Sequence, residues 1–308
     1  MSPPAFISVK GRRTRVRIAG DPVGPPVLML HGIGRSLEDW APQYPRLAQG
    51  HRLISLDLPG FGFSARSPEP TTLEVLARGA LETLDALGEQ RPLHVLGNSL
   101  GGAVAQQLLV LDPARVASLA LVNSAGFGSE VALPIRLLTV PVLGRLATRR
   151  TTRAGARMAE RLSFADPQLA TTVRIEHALA IARRPDPGAV LLETVRELGT
   201  LRGTKTRWRA ELTAAMAQNP RPTLVIWGDR DRVLPARHLD AARRLLPHAA
   251  TQLFTGIGHM PQIECPDAFA DRVLAFLAEA HSPGRPGAAG PSSAPAQHTV
   301  PHDTATAL

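Results

Sequence analysis

The stretch VLGNSLGGAV, residues 95–104, opens as an apolar strand, breaks at a glycine, turns on a serine and resumes as a helix through two more glycines. Two physical demands explain such a stretch. Gly97, Gly101 and Gly102 remove side chains where a strand and the helix after it must approach closely. A serine on a sharp strand-to-helix turn also has a strained backbone and a hydroxyl that projects into open space, the G-x-S-x-G pattern of an exposed nucleophile. So short a pattern also arises by chance, and the sequence on either side decides.

Strand and helix alternate outward from this turn. AFISVK (5–10) and RTRVRIA (13–19) alternate apolar and polar residues about Gly11, as an antiparallel hairpin does. PPVLML (25–30) and HRLISLDL (51–58) are short and nearly all apolar, which suits strands buried on both faces. Between them SLEDWAPQYPRLA (36–48) has helical spacing broken by prolines. TTLEVLARGALETLDALG (71–88) is a clear helix, in which Thr71 with Glu74 fits a capping box and Gly88 ends the run. Strand PLHVLG (92–97), helix LGGAVAQQLLVLDP (100–113) and strand VASLALVN (116–123) follow.

From about Phe127 to Asn219 only helix-like segments appear, among them PQLATTVRIEHALAIARR (167–184) and GAVLLETVRELGTL (188–201). Strand–helix units then resume with TLVIWG (223–228), ARHLDAARRLL (236–246), ATQLFT (250–255) and PDAFADRVLAFLAEA (266–280). The alternation predicts an α/β fold with a mostly parallel sheet covered by helices on both faces. Residues 1–126 and 220–280 are expected to form this core, and 127–219 a helical cap inserted into it. Residues 281–308, rich in Pro, Gly, Ala and Ser, carry too little apolar surface to fold and are expected to be a disordered tail.

A chain of 308 residues, 44% apolar and 20% charged, suits one large domain with an insertion, or two domains, and can bury a sizeable core. No apolar run approaches the ~18–20 residues that span a bilayer. The first twenty residues lack the apolar centre of a signal peptide, and polar residues follow Arg12 and Arg13, so the cytoplasm is the expected location. Cys265 is the single cysteine, which excludes an intrachain disulfide. The net charge of +9 is concentrated in residues 128–219, which carry 14 Arg and one Lys against eight acidic residues. No zinc spacing, aromatic–basic RNA motif or DNA-reading helix pair accompanies it, so nucleic acid is not an expected partner.

A serine hydroxyl needs a base to take its proton, and the base needs an acid to hold its tautomer. In open α/β sheets such partners gather at the carboxyl ends of strands. TLVIWGDRDRVLP (223–235) ends a strand in a loop with Asp229 and Asp231, and LFTGIGHMPQIECP (253–266) ends another in a loop with His259. A tetrahedral intermediate also needs two N–H donors aimed at its oxyanion. Leu100 supplies one from a helix start, where backbone N–H groups are unpaired. Ile33, in the Gly-rich turn of LMLHGIGRS (28–36), supplies the other.

These blocks resemble the α/β-hydrolase family, in its branch with a helical cap and a serine nucleophile. HGIG, DLPGFGFS, GNSLGG, WGDRDRVLP and GHMPQIECP stand in the family's order, and the likeness runs from about residue 5 to 280. It implies an eight-stranded sheet, Ser99 as nucleophile, His259 as general base and acid, and Asp231 as the orienting carboxylate. Asp231 is chosen over Asp229 because the family's acid takes the fifth position of WGDRD. The oxyanion hole would come from the N–H groups of Ile33 and Leu100. The implied reaction is cleavage of a small-molecule carboxylic ester or related carbonyl compound with an apolar part, through an acyl-enzyme, with no metal or cofactor. Branches of the family with an aspartate nucleophile are disfavoured by serine at position 99.

Two alternatives stand beside ester cleavage. DPQLATTVRIEH (166–177) is similar to C–C bond hydrolases acting on diketones from aromatic-ring cleavage, but Met260 and HGIGRS depart from that branch's usual Trp and longer oxyanion loop. A non-catalytic receptor for small molecules on the same scaffold is the other.

Remaining polar residues read as structural: His31 supporting its loop, His94 in a strand, Asp57 and Asp229 bracing turns. Trp40, Trp227 and Phe61 read as core or site wall, and Cys265 as inert. Arg149, Arg153, Arg157 and Arg161 recur every four residues and predict one positive helical stripe. VALPIRLLTVPVLGRLA (131–147), apolar and proline-broken, reads as a lid. A solvated helix face is preferred for the stripe over contact with anionic substrates or a phospholipid surface.

Overall fold

Lys10 and Gly11, both with φ near +50° to +80°, turn the first two strands back on each other. In this computed structural model, which describes residues 3–281, β1 (Ala5–Val9) and β2 (Arg12–Gly20) pair antiparallel. β3 (Pro26–Leu30), β4 (Arg52–Leu56), β5 (Leu93–Asn98) and β6 (Val116–Val122) follow the apolar runs of the sequence. The connections carry α1 (Tyr44–Leu47), α2 (Leu73–Ala86) and α3 (Leu100–Leu111). Beyond β6 come α4 (Leu133–Leu138), α5 (Pro141–Arg149), α6 (Arg153–Ser163), α7 (Thr172–Ala182) and α8 (Pro187–Leu198). A short antiparallel ladder, β7 (Gly199–Thr200) with β8 (Gly203–Thr204), leads into α9 (Thr206–Gln218). β9 (Thr223–Gly228), α10 (Arg237–Leu245), β10 (Ala250–Phe254), α11 (Pro261–Glu264) and α12 (Pro266–His281) complete the described chain. The expected tail lies, from residue 282, outside the described residues.

Eight strands form one sheet in the order β1-β2-β4-β3-β5-β6-β9-β10. Only the β1–β2 and β2–β4 pairs are antiparallel. Alternate residues of each strand feed opposite faces. Leu28 and Leu30 join the core built with α2, α3, α9 and α10, while Val27 and Met29 join the one closed by Trp40, Tyr44 and α12. Trp227 and Phe61 belong to the first core.

From β3 the chain passes to β4 on one side, then returns to β5 on the other. The loops after β3 and β5 therefore diverge and open a crevice between strand ends, the place where open α/β sheets bind ligands. Ser99 and Ile33 lie on those two loops.

The segment between β6 and β9 is bound to the sheet's loops by charge. Arg35 reaches Glu160 at 2.7 Å, Arg66 reaches Glu193 at 2.9 Å, and Arg184 donates to the Ser64 carbonyl at 2.7 Å. Three local expectations change here. Thr72, not Thr71, caps α2 by accepting the Val75 N–H, because both groups of Thr71 donate to Glu193. Arg149 ends α5, and Arg150 is extended, so it does not share a stripe with Arg153, Arg157 and Arg161 on α6. The expectation of helices alone from 127 to 219 also missed the short β7–β8 ladder.

Candidate active site

Ser99, between β5 and α3, has φ +56° and ψ −116°. A non-glycine residue holds such a conformation only where its surroundings enforce it, at a cost of about 1–3 kcal/mol. Here its N–H donates to Val122 at 3.0 Å and its carbonyl accepts Gly102 and Ala125, each at 3.1 Å. The glycines answer the other demand. A Cβ on Gly97 would lie 2.3 Å from the Gly101 carbonyl oxygen, and one on Gly101 2.3 Å from that of Leu30.

The serine borders an apolar cavity of about 70 Å³ whose wall includes Ile33, Leu100, Ile135, Val195 and Val233. Among the described residues, neither the Ile33 nor the Leu100 N–H has a hydrogen-bond acceptor. Two unpaired backbone donors thus belong to residues that line the same apolar cavity as Ser99.

Asp231, after β9, and His259, after β10, meet on the same rim. Asp231 Oδ2 accepts from His259 Nδ1 at 2.7 Å and from Asn123 Nδ2 at 2.7 Å. Its Oδ1 accepts the N–H groups of Val233 at 2.7 Å and Leu234 at 2.9 Å. Both side chains are buried. With the Nδ1 proton directed at Asp231, Nε2 is the ring's acceptor. Among the described residues no hydrogen bond joins Ser99 to His259. Asn98, the residue before the serine, links them through the backbone, its Nδ2 donating to the carbonyls of Val122 at 3.2 Å and His259 at 3.1 Å.

Three further residues hold this arrangement, and the sequence reading did not single them out. Asn98 is one. Asn123, at φ +43°, ends β6 and aims its amide at Asp231; an Asn closing a strand is a signal, since Asn tolerates the left-handed region. Glu264 accepts the N–H groups of Gly258 at 3.0 Å, Met260 at 3.2 Å and Ala165 at 2.8 Å. Burial raises its pKa above the ordinary value against the pull of those donors.

The remaining polar residues have structural partners. Asp229 accepts the Gly256 N–H at 2.7 Å and braces that turn, while the acceptor for His259 Nδ1 is Asp231. His31 contacts the Gly32 carbonyl through Nδ1 at 2.8 Å, leaving Nε2 to accept the Leu58 N–H at 3.0 Å. Asp57 accepts Leu37 at 2.8 Å and Phe63 at 2.7 Å, and His94 meets Ser118 Oγ at 2.7 Å. Burial pushes the Cys265 thiol up to about 11, which keeps it protonated and unreactive. Among the described residues no three His, Cys, Asp or Glu side chains are grouped to hold a metal ion.

The family described as the alpha/beta hydrolase fold matches residues 25–266. A dihydrolipoyllysine-residue acetyltransferase component of an acetoin cleaving system, from Pseudomonas putida, is 33% identical over 274 residues, which cover 89% of this chain and 69% of that one. A 2-hydroxymuconate semialdehyde hydrolase from Pseudomonas sp. (strain CF600) is 31% identical, covering 89% of this chain and 93% of its own. Among solved structures, a membrane phospholipase A superposes with a TM-score of 0.73 at 26% identity, covering 90% of this chain and 86% of that one.

Proposed function

The chain belongs to the alpha/beta hydrolase fold family, whose members point to hydrolase activity, and we propose that it is a serine hydrolase cleaving small-molecule carboxylic esters. The observation that carries the proposal is the 2.7 Å contact between His259 Nδ1 and Asp231 Oδ2 on the rim that also bears Ser99. A buried imidazole held in one tautomer, with Nε2 free, has the form of a base awaiting a hydroxyl. Hydrogen bonds of this kind often tighten only when substrate binds.

His259 Nε2 takes the Ser99 proton as Oγ attacks the carbonyl carbon. The N–H groups of Ile33 and Leu100 receive the oxyanion. The tetrahedral intermediate collapses, the C–O bond breaks, and His259 protonates the departing alcohol. Water, deprotonated by His259, then attacks the acyl-enzyme, and the acid leaves as the proton returns to Ser99. In this scheme residues 127–219 act as the cap, with Ile135 of α4 forming a wall of the acyl or alcohol pocket.

Cleavage of a C–C bond in diketones from ring cleavage is the second reading, favoured by the 31% identity to the semialdehyde hydrolase. Against it stand Met260 after the histidine and the short HGIGRS turn. A fluorophosphonate probe tests the serine chemistry: it should label the folded protein and leave Ser99→Ala unlabelled. Folded protein that resists labelling sinks the proposal in favour of a receptor. Turnover of a panel of esters against ring-cleavage diketones then separates the two bond types, and faster diketone turnover would reverse the preference.

A further inference from the structure

A helix packed on one side ordinarily turns its large apolar residues inward and its small or polar ones outward. In α5 the arrangement is reversed. Gly144 is buried, and Thr148 one turn later is half-buried. Both press on α8: a Cβ on Gly144 would lie 2.8 Å from Leu192 Cδ2, and one on Gly188 3.0 Å from Thr148 Cβ. The opposite face presents Val142, Leu143 and Leu146, which are 65%, 47% and 59% exposed. Leu133 and Leu137 of α4, which packs against α5, are exposed as well, as is Met158 of α6.

Charge goes with it. Residues 131–159 contain six arginines and no Lys, Asp or Glu. Arg145 and Arg149 lie one turn apart on a flank of α5, with Arg150 next and Arg157 on α6, all exposed. None of these four has an ion-pair partner among the described residues, whereas Arg153 pairs with Glu176. Like charges one turn apart oppose a helix in water, and an anionic surface removes that cost.

We infer that α4, α5 and the start of α6 dock on an anionic lipid bilayer, with Val142, Leu143 and Leu146 entering the interface and the arginines meeting lipid phosphates. The charge selects this occupant. A second copy docked through the same face would oppose arginine to arginine, because a two-fold interface repeats one patch on both sides. A bilayer with acidic headgroups accepts both the leucines and the cations. The contact is peripheral, since among the described residues no helix is long and apolar enough to cross a membrane. α4 connects the surface to the cavity: Leu133 and Leu137 face out, while Ile135, Arg136 and Thr139 line the space beside Ser99. The inference stands whichever bond the serine cleaves.

Co-sedimentation of the full chain with vesicles tests it without reference to activity. The protein should bind vesicles of phosphatidylcholine mixed with phosphatidylglycerol, bind phosphatidylcholine alone far more weakly, and leave the mixed vesicles at high salt. Replacing Arg145, Arg149 and Arg150 together by Gln should lower partitioning about 100-fold. Leu143→Ser with Leu146→Ser should lower it at least about tenfold. All five positions are exposed, so circular dichroism should show both variants folded. Failure of the folded protein to bind the mixed vesicles overturns the inference, as does binding that both variants retain. A dimer in solution that Leu146→Asp disperses would assign the surface to a second copy instead.

Discussion

Ser163, the last residue of α6, accepts the backbone N–H of His259 at 3.0 Å. The helical segment therefore holds the histidine loop directly, and Glu264 closes the same joint. One of its oxygens takes the N–H groups on either side of His259, and the other takes Ala165, two residues beyond Ser163.

Removing that carboxylate should loosen the imidazole more than it loosens the fold. Glu264→Ala leaves three N–H groups unpaired at a partly buried site, an expected loss of about 1–3 kcal/mol. On an ester substrate the expected effect is a fall in kcat with KM little changed, because His259 is displaced and the cavity beside Ser99 is not. Glu264→Gln keeps the pair around His259 but turns an amide donor toward the Ala165 N–H, so kcat should fall less. Steady-state kinetics beside urea unfolding separate the effects. Equal kcat in both variants and the parent protein would remove Glu264 from any positioning role.

Arg35 joins the loop after β3 to α6 through two carboxylates. Its Nε lies 2.6 Å from Asp39 and its Nη1 2.7 Å from Glu160, and both acids are buried. Burial opposes the guanidinium charge, but the two carboxylates outweigh it and raise the Arg35 pKa. Arg35→Ala would leave both acids short of a cation, with Arg174 at 3.9 Å from Asp39 as the remaining partner. The expected loss is about 3–5 kcal/mol, the cost of breaking a buried pair from one side. Arg35→Met with Glu160→Met should recover part of it. Urea midpoints for the single and double variants check this, and a single variant within ~1 kcal/mol of the parent refutes it.

The strand–Ser99–helix turn and the order of Asp231 and His259 were legible because their signals are local. Apolar runs set the strands, glycines mark the close approaches, and loops after strands carry the polar groups. What stayed hidden depends on partners far along the chain. Thr71 fits a capping box in isolation, but Glu193, 122 residues away, recruits it and Thr72 takes over the cap. Arg149 keeps the spacing of the arginine row, yet the extended backbone at Arg150 separates it from α6. Glu264 carries no local signal, and its role emerges only where Ala165 and the His259 loop pack against it. Asn123 shows the intermediate case: an Asn after a strand suggests a left-handed turn, but only the fold reveals that its amide faces Asp231.

Acid should release the helical segment from the sheet's loops. Burial opposes ionisation of Glu38, but hydrogen bonds from His177, Arg15 and Ser36 outweigh it and hold its pKa below the usual range. At Glu193 burial is likewise outweighed, by Thr71 and Arg66. Folded values below the unfolded ~4.3 mean that the unfolded chain takes up protons first as pH falls. The stabilisation is complete above about pH 5 and is lost progressively below it. His238, depressed mainly by burial, adds a loss of the same sign that begins below its unfolded ~6.5. Asp57 and Glu264, raised by burial, act in the opposite direction. Glu38→Gln should therefore flatten the fall of the urea midpoint between about pH 5 and pH 3. Parallel slopes for parent and variant would show that Glu38 is not the group responsible.

Gly101 sets a sharper test, because its two possible roles predict different costs. A Cβ there would lie 2.3 Å from the Leu30 carbonyl oxygen and 2.7 Å from that of His31. Both are backbone atoms at the end of β3, so relief requires moving α3 off the sheet. Gly11 offers the contrast, with φ +79° but nothing within 4 Å of an added Cβ. Gly11→Ala should cost only the left-handed backbone penalty of about 1–2 kcal/mol. Gly101→Ala should exceed ~4 kcal/mol and yield little folded protein, since neither overlap can relax into a side chain. If both variants melt within a few degrees of each other, Gly101 is a flexible turn residue and not the point where α3 and β3 touch.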